Sequence, residues 1–152
     1  MTDPSRYIDI AGRRVGAGHP VYVIAEISGN HNGSFDRAVR ILEECAAAGV
    51  DAIKLQTYTA DTLTIDSDND IFKVGDNNTW AGRTLYDLYE DAHTPWDWQP
   101  KLKQRADDLG VDLFSSPFDF TAVDFLNDMN VPAFKVASFE TPDTHLVGYM
   151  AS

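Results

Sequence analysis

The sequence predicts an α/β fold on a parallel sheet. It reads as the first half of a TIM-type (β/α)8 barrel, about four β/α units, behind a short β-hairpin. Three observations carry this. Apolar segments of strand length recur at 20–28, 50–58, 111–118 and 131–138, each followed by a stretch with helical spacing. These strands are apolar throughout, the pattern of a sheet covered on both faces. The few polar residues inside them gather toward their C-terminal ends, the face on which a barrel builds its sites. A doubly wound sheet fits less well: "SGNHNGS" after the first strand has glycines but not the G-x-G-x-x-G spacing of a dinucleotide turn. Residues 1–19 are assigned to the hairpin unit and 20–152 to a truncated first half of the barrel. A barrel of this kind takes about 250 residues.

Each element has its own local reason. "YIDIAGRRV" (7–15) alternates apolar and polar around Gly12, as a hairpin does. "PVYVIAEIS" (20–28) is the first apolar strand. "SFDRAVRILEECAAAG" (34–49) is a helix, with Ser34 as N-cap and Gly49 as its stop. "VDAIKLQTY" (50–58) is the second strand, followed by a long polar connection containing "DSDND" (66–70). Helices are predicted at 83–93 and 94–110, the latter with Thr94 as cap and Pro95 at its first position. "VDLFSSPF" (111–118) is the third strand and 119–130 a helix ending at Asn130. "VPAFKVAS" (131–138) is the fourth strand. A last helix starts at Thr141, with Pro142 at its first position.

The formal charge is −12, from 24 acidic and 12 basic residues, and 19 of the acidic residues are aspartate. That balance argues against nucleic acid or an anionic membrane as partner, since both require a basic footprint. It is compatible with a high-salt cytoplasm. A single cysteine, Cys45, rules out an internal disulfide framework and a cysteine-rich zinc site. No stretch approaches the ~20 apolar residues of a membrane span, and "MTDPSRYIDI" has no apolar signal region. A cytoplasmic protein is expected.

Two lysines stand out. Lys54 sits among Ala52, Ile53 and Leu55, and Lys135 between Phe134 and Val136. A buried ammonium costs several kcal/mol, of order, unless it is paired. Two of them in neighbouring strands point to a shared anion, or to ion pairs with Glu26 or Glu140. Gln56 lies on the same side of its strand as Lys54, and Ser138 on the same side as Glu140. With Ser115 and Ser116, these residues describe a phosphate or carboxylate site flanked by carboxylates able to orient a hydroxyl or move a proton. The plainer alternative is that Ser115 and Ser116 cap the following turn. The histidines show no metal-binding spacing, and Trp80, Trp96 and Trp98 read as packing residues.

The segments "AEISGNHNGS", "DAIKLQTYTADTL", "GRTLYDLYEDAHTPWDW", "SSPFDFTAVDFL" and "VPAFKVASFE" together resemble the N-terminal half of the sialic acid synthase family. Within it they are most similar to the pseudaminic acid synthase branch, from about residue 7 onward. The resemblance implies an aldolase-type barrel followed by a small antifreeze-like domain. It implies condensation of phosphoenolpyruvate with an open-chain amino sugar, with C–O cleavage and release of phosphate. It implies that Lys54, Ser116, Lys135 and Ser138 hold phosphoenolpyruvate, and that Glu26, Gln56 and Glu140 lie at the reacting centre or the sugar. It also implies a homodimer and a divalent metal, Mn or Mg, in the full-length enzyme. The family's metal-binding histidine pair is not matched in these 152 residues. The alternatives are an N-acetylneuraminate synthase proper, a Schiff-base aldolase with Lys54 or Lys135 as nucleophile, and a non-catalytic half-barrel that binds anions or a partner chain.

Overall fold

The computed structural model describes residues 6–75 and 80–152. It opens with an antiparallel hairpin, β1 (Tyr7–Ile10) and β2 (Arg13–Gly16). Ala11 and Gly12 both take positive φ, 52° and 80°, the geometry of a tight two-residue hairpin turn. The Gly12 N–H is anchored on the Asp9 carboxylate at 2.8 Å.

Three strands make the parallel sheet: β3 (Ile24–Glu26), β4 (Ala52–Thr57) and β5 (Asp112–Pro117), in that order. The described residues thus build a partial α/β fold, consistent with half a barrel. The first strand is much shorter than the predicted 20–28. Its N-terminal part is taken over by side chains. The Val23 N–H donates to the Asp51 carboxylate at 2.6 Å, and Arg13 from the hairpin pairs with the same carboxylate. Arg13 also donates to the Val21 carbonyl at 2.9 Å, so the hairpin is clipped to the sheet at this corner. The Val23 N–H, then Arg13, hold the Asp51 carboxyl below the usual carboxylate range.

The predicted fourth strand at 131–138 does not form as a strand. Only a parallel bridge between Ser115 and Phe134 remains, with the Lys135 N–H on the Ser115 carbonyl at 3.1 Å. Pro132 has no N–H to give to a ladder, and turns occupy 138–142. Ser138 and Glu140 therefore do not share a strand face.

The helices follow the expected spacing, with corrections at their starts. α1 (Phe35–Ala47) begins at Ser34, whose hydroxyl accepts from the Arg37 N–H at 3.3 Å. α2 (Ala60–Leu63) is a single turn inside the polar connection, where no helix was expected. α3 (Leu85–Ala92) is capped by Thr84. α4 (Gln99–Leu109) starts five residues after Thr94, because a 3-10 turn at Trp96–Trp98 comes first and Thr94 is buried against another loop. α5 (Phe120–Asp128) is capped by Asp119, and Asn130 at φ 52° closes the turn after it. α6 (Thr144–Met150) is capped by Asp143, not Thr141; the Asp143 carboxylate accepts from both the His145 and Leu146 N–H groups. A carboxylate at that positive helix end outcompetes a hydroxyl two residues earlier.

Ile53, Leu55 and Leu113 pack with Ala38 and Leu42 of α1 and Leu102 and Ala106 of α4, forming one core layer. Successive strand residues point to opposite faces. The residues between them, Lys54, Gln56, Phe114 and Ser116, are thereby committed to the other face of the sheet.

Candidate functional site

Strand register assembles that second face. Glu26 lies opposite Lys54, and Gln56 opposite Ser116. Lys54 is almost fully buried and its Nζ stands 3.1 Å from Glu26 Oε1, while the Glu26 side chain keeps 61% of its exposure. The buried lysine thus meets the second of the two answers open from sequence: it has a carboxylate partner. That partner reaches solvent, so the pair is not sealed.

Gln56 continues the row. Its Oε1 accepts from the Ser28 hydroxyl at 3.1 Å. Beside it Ser116 Oγ is buried with no hydrogen-bond partner, and so is Glu140 Oε2, among the described residues. Unsatisfied buried polar atoms cost about 1–3 kcal/mol each and are rare in native proteins. Two of them near one cleft point to a ligand that supplies the missing partners.

The cleft has a volume of about 560 Å³. Ser28, Gln56, Lys135, Ser138 and Glu140 supply its polar wall. Tyr58, Tyr89, Phe118, Leu63 and Leu88 supply an apolar one. Of the residues singled out in the sequence, the structure brings Gln56, Lys135, Ser138 and Glu140 into this cleft. Glu26, Lys54 and Ser116 do not line it; they sit in register beside Gln56 on the same sheet. Lys135 is exposed and makes no ion pair among the described residues.

Ser115 belongs elsewhere. Its hydroxyl lies 2.7 Å from Thr57 Oγ1, which also donates to Gln99 Oε1 at 2.8 Å. All three are buried on the helix side, tying the sheet to α4. Trp96 is also a packing residue: its Nε1 donates to the Tyr58 carbonyl at 3.2 Å and its ring packs on Phe125 at 4.8 Å.

Tyr58 and Ser28 are cleft residues that sequence reasoning missed. Tyr58 is buried edge-on between Tyr89 and Phe118, and burial, then Tyr89, pushes its phenol up to about 12. A tyrosine just past a strand carrying Lys54 and Gln56 was the available signal.

His31 anchors the turn that carries Ser28 into the cleft. It is fully buried, its Nδ1 accepts from the Gly33 N–H at 3.2 Å, and its Nε2 lies 3.3 Å from Thr94 Oγ1. The Nδ1 acceptor role leaves the proton on Nε2, which donates to Thr94. Burial, and secondarily His93, hold the His31 imidazole below its ordinary 6.5. The unfolded chain therefore binds a proton more readily than the folded one below that pH. The stabilising contribution is fully present above pH 6.5 and is lost as pH falls through the folded pKa, by at most about 1.4 kcal/mol per pH unit. Melting temperatures measured from pH 7.5 to 5.5 are expected to fall more steeply for the wild type than for His31→Gln. Parallel curves would refute the assignment.

Among the described residues no three His, Cys, Asp or Glu side chains converge as ligands for the divalent metal expected of the full-length enzyme. No described helix is long and apolar enough to cross a membrane.

The profile of the NeuB family matches residues 41–152, which include Lys54, Gln56, Ser116, Lys135, Ser138 and Glu140. The chain belongs to the NeuB family. It is 43% identical over 131 residues to the pseudaminic acid synthase of Campylobacter jejuni, covering 86% of this chain and 38% of that protein. It is 38% identical over 128 residues to the pseudaminic acid synthase of Helicobacter pylori, covering 84% of this chain and 37% of that protein. The crystal structure of the N-acetylneuraminic acid synthetase of Leptospira borgpetersenii superposes with a TM-score of 0.77 at 26% identity, over 97% of this chain and 46% of that one. The chain thus spans less than half the length of these NeuB-family relatives. The resemblance to sialic acid synthases, and within them to pseudaminic acid synthases, holds.

Proposed function

We propose that this chain is part of a nonulosonic acid synthase, one that condenses phosphoenolpyruvate with an open-chain acetamido or diacetamido sugar and releases phosphate. The observation that carries the reading is the convergence of Gln56, Lys135, Ser138 and Glu140 in one cleft, in a chain 43% identical to a pseudaminic acid synthase. In this reading Lys54, Ser116, Lys135 and Ser138 hold the carboxylate and phosphate of phosphoenolpyruvate. An ammonium at Lys135 and a hydroxyl at Ser116, each without a partner among the described residues, are suited to an anion. Glu140, with one carboxylate oxygen unpartnered, orients a sugar hydroxyl or moves a proton, and Glu26 and Gln56 support the reacting centre. The complete protein, expected to be a cytoplasmic homodimer, is the active species; residues 1–152 alone are proposed to be inactive.

The test is phosphate release by the full-length protein carrying this segment, given phosphoenolpyruvate, manganese and candidate amino sugars. Sugar-dependent release is expected, with none from residues 1–152 alone. Preference for a mono-acetamido acceptor would move the assignment to an N-acetylneuraminate synthase, and no sugar-dependent release would refute the reading. Borohydride trapping with substrate separates the Schiff-base alternative, which alone predicts a labelled lysine. The carboxylate of Glu26 on Lys54 Nζ favours an electrostatic role for that lysine over a nucleophilic one.

A further inference from the structure

Ser28 follows β3 with its backbone in the left-handed region, at φ 49°. Glycine adopts that conformation freely; serine carries strain there. Such strain persists where surrounding contacts over-determine it, and it clusters at ligand sites. The contacts are present. The Asn30 N–H and Nδ2 both reach the Ile27 carbonyl, at 3.2 and 2.9 Å, and the buried His31 ties the same turn to Thr94.

The strained conformation places the Ser28 hydroxyl on Gln56 Oε1 at 3.1 Å, bridging from the end of β3 to β4. That bond occupies the amide's acceptor and leaves its donor. Gln56 Nε2 makes no hydrogen bond among the described residues, although Gln56 is only partly exposed and lines the cleft with Lys135 and Ser138. Its register partner Ser116 carries the unpartnered hydroxyl.

We propose that Ser28 is a positioning residue whose hydroxyl holds the Gln56 amide with Nε2 turned to the ligand, as donor to a carboxylate, phosphate or carbonyl oxygen. An anion at Nε2 selects this orientation, and the hydroxyl completes it by donating to Oε1; without Ser28 the amide oxygen loses its donor and the amide is free to rotate away from the ligand. The inference rests on the reading of the cleft as an anion-binding substrate site, and it assigns to Gln56 the donor role there.

The experiment uses the full-length protein with Ser28→Gly and Ser28→Ala. Glycine removes both the hydroxyl and the strain, so the melting temperature is expected to hold or rise. Meanwhile kcat/KM for phosphoenolpyruvate falls about tenfold, the scale of one lost hydrogen bond. Alanine keeps the strain and is expected to show the same kinetic loss. A purely structural role predicts the reverse, with activity following the melting temperature and the glycine variant most active; that outcome, or an unchanged kcat/KM in Ser28→Gly, overturns the proposal. A second readout is independent of turnover. The side-chain amide protons of Gln56 are expected at distinct NMR positions in the wild type and nearer free-amide values in Ser28→Gly. If the wild type releases no phosphate, the function fails while these signals still decide Ser28: displaced signals support it, and coincident ones overturn it.

Discussion

In the full-length protein, Lys135→Ala is expected to weaken the use of phosphoenolpyruvate about 30-fold, and Lys54→Met by more. Removing one partner of a close charge pair costs about 2–5 kcal/mol, and 1.4 kcal/mol is a factor of ten. The two lysines fall at different points on that scale for a physical reason. Lys135 is exposed at the cleft wall, so water screens it and the lower end applies. Lys54 is buried, with its side chain only 8% exposed, so its field on a bound anion is less screened. Methionine keeps most of the apolar stem of Lys54 without its charge, and Glu26 is exposed enough to be re-solvated when its partner goes. The loss therefore reports on the ligand more than on a stranded carboxylate. Lys101→Ala, on the outer surface of α4, serves as the control and is expected to change nothing. The measurement is steady-state kinetics with phosphoenolpyruvate varied; unchanged affinity and turnover in Lys135→Ala would sink its assignment.

Lys54 was legible as a cation in an apolar strand that needs a partner, and Glu26 supplies one; Lys135, read the same way, is exposed on a segment that forms no strand. Gln56 was legible from its spacing to Lys54, whereas Glu140 lines the cleft from a turn and not from the strand face it was assigned with Ser138. The helices were legible from apolar spacing, and the start of α1 from Ser34. What escaped depends on long-range geometry. Thr94 before Pro95 is a reasonable helix cap by local chemistry, yet its hydroxyl faces His31, 63 residues away. The segment 131–138 has strand-forming residues, but strand formation depends on context more than on propensity. Pro132 and the turns after Ala137 leave it a single bridge. Ser28 reads as the last residue of the first predicted strand, since neither its positive φ nor its bond to Gln56 is written in the residues around it.

Leu102→Ala is expected to destabilise the fold by about 2–5 kcal/mol, the range for removing a buried leucine from a core that relaxes only partly. Leu102 is fully buried on α4, in the layer that seats α1 and α4 on the strands through Leu42, Ile53, Leu55 and Leu113. The lost methyl groups leave a void, and their dispersion contacts vanish with them. Leu109 supplies the internal comparison: it ends the same helix but is 38% exposed, and its replacement by alanine is expected to cost under about 1 kcal/mol. The contrast also bears on the cleft. Thr57 and Ser115 reach α4 through Gln99, three residues before Leu102, so loosening α4 disturbs the strand that carries Lys54 and Gln56. Leu102→Ala is accordingly expected to lose both denaturant midpoint and phosphoenolpyruvate binding, whereas Leu109→Ala keeps both. Equal unfolding midpoints for the two variants would show that α4 does not seat the sheet.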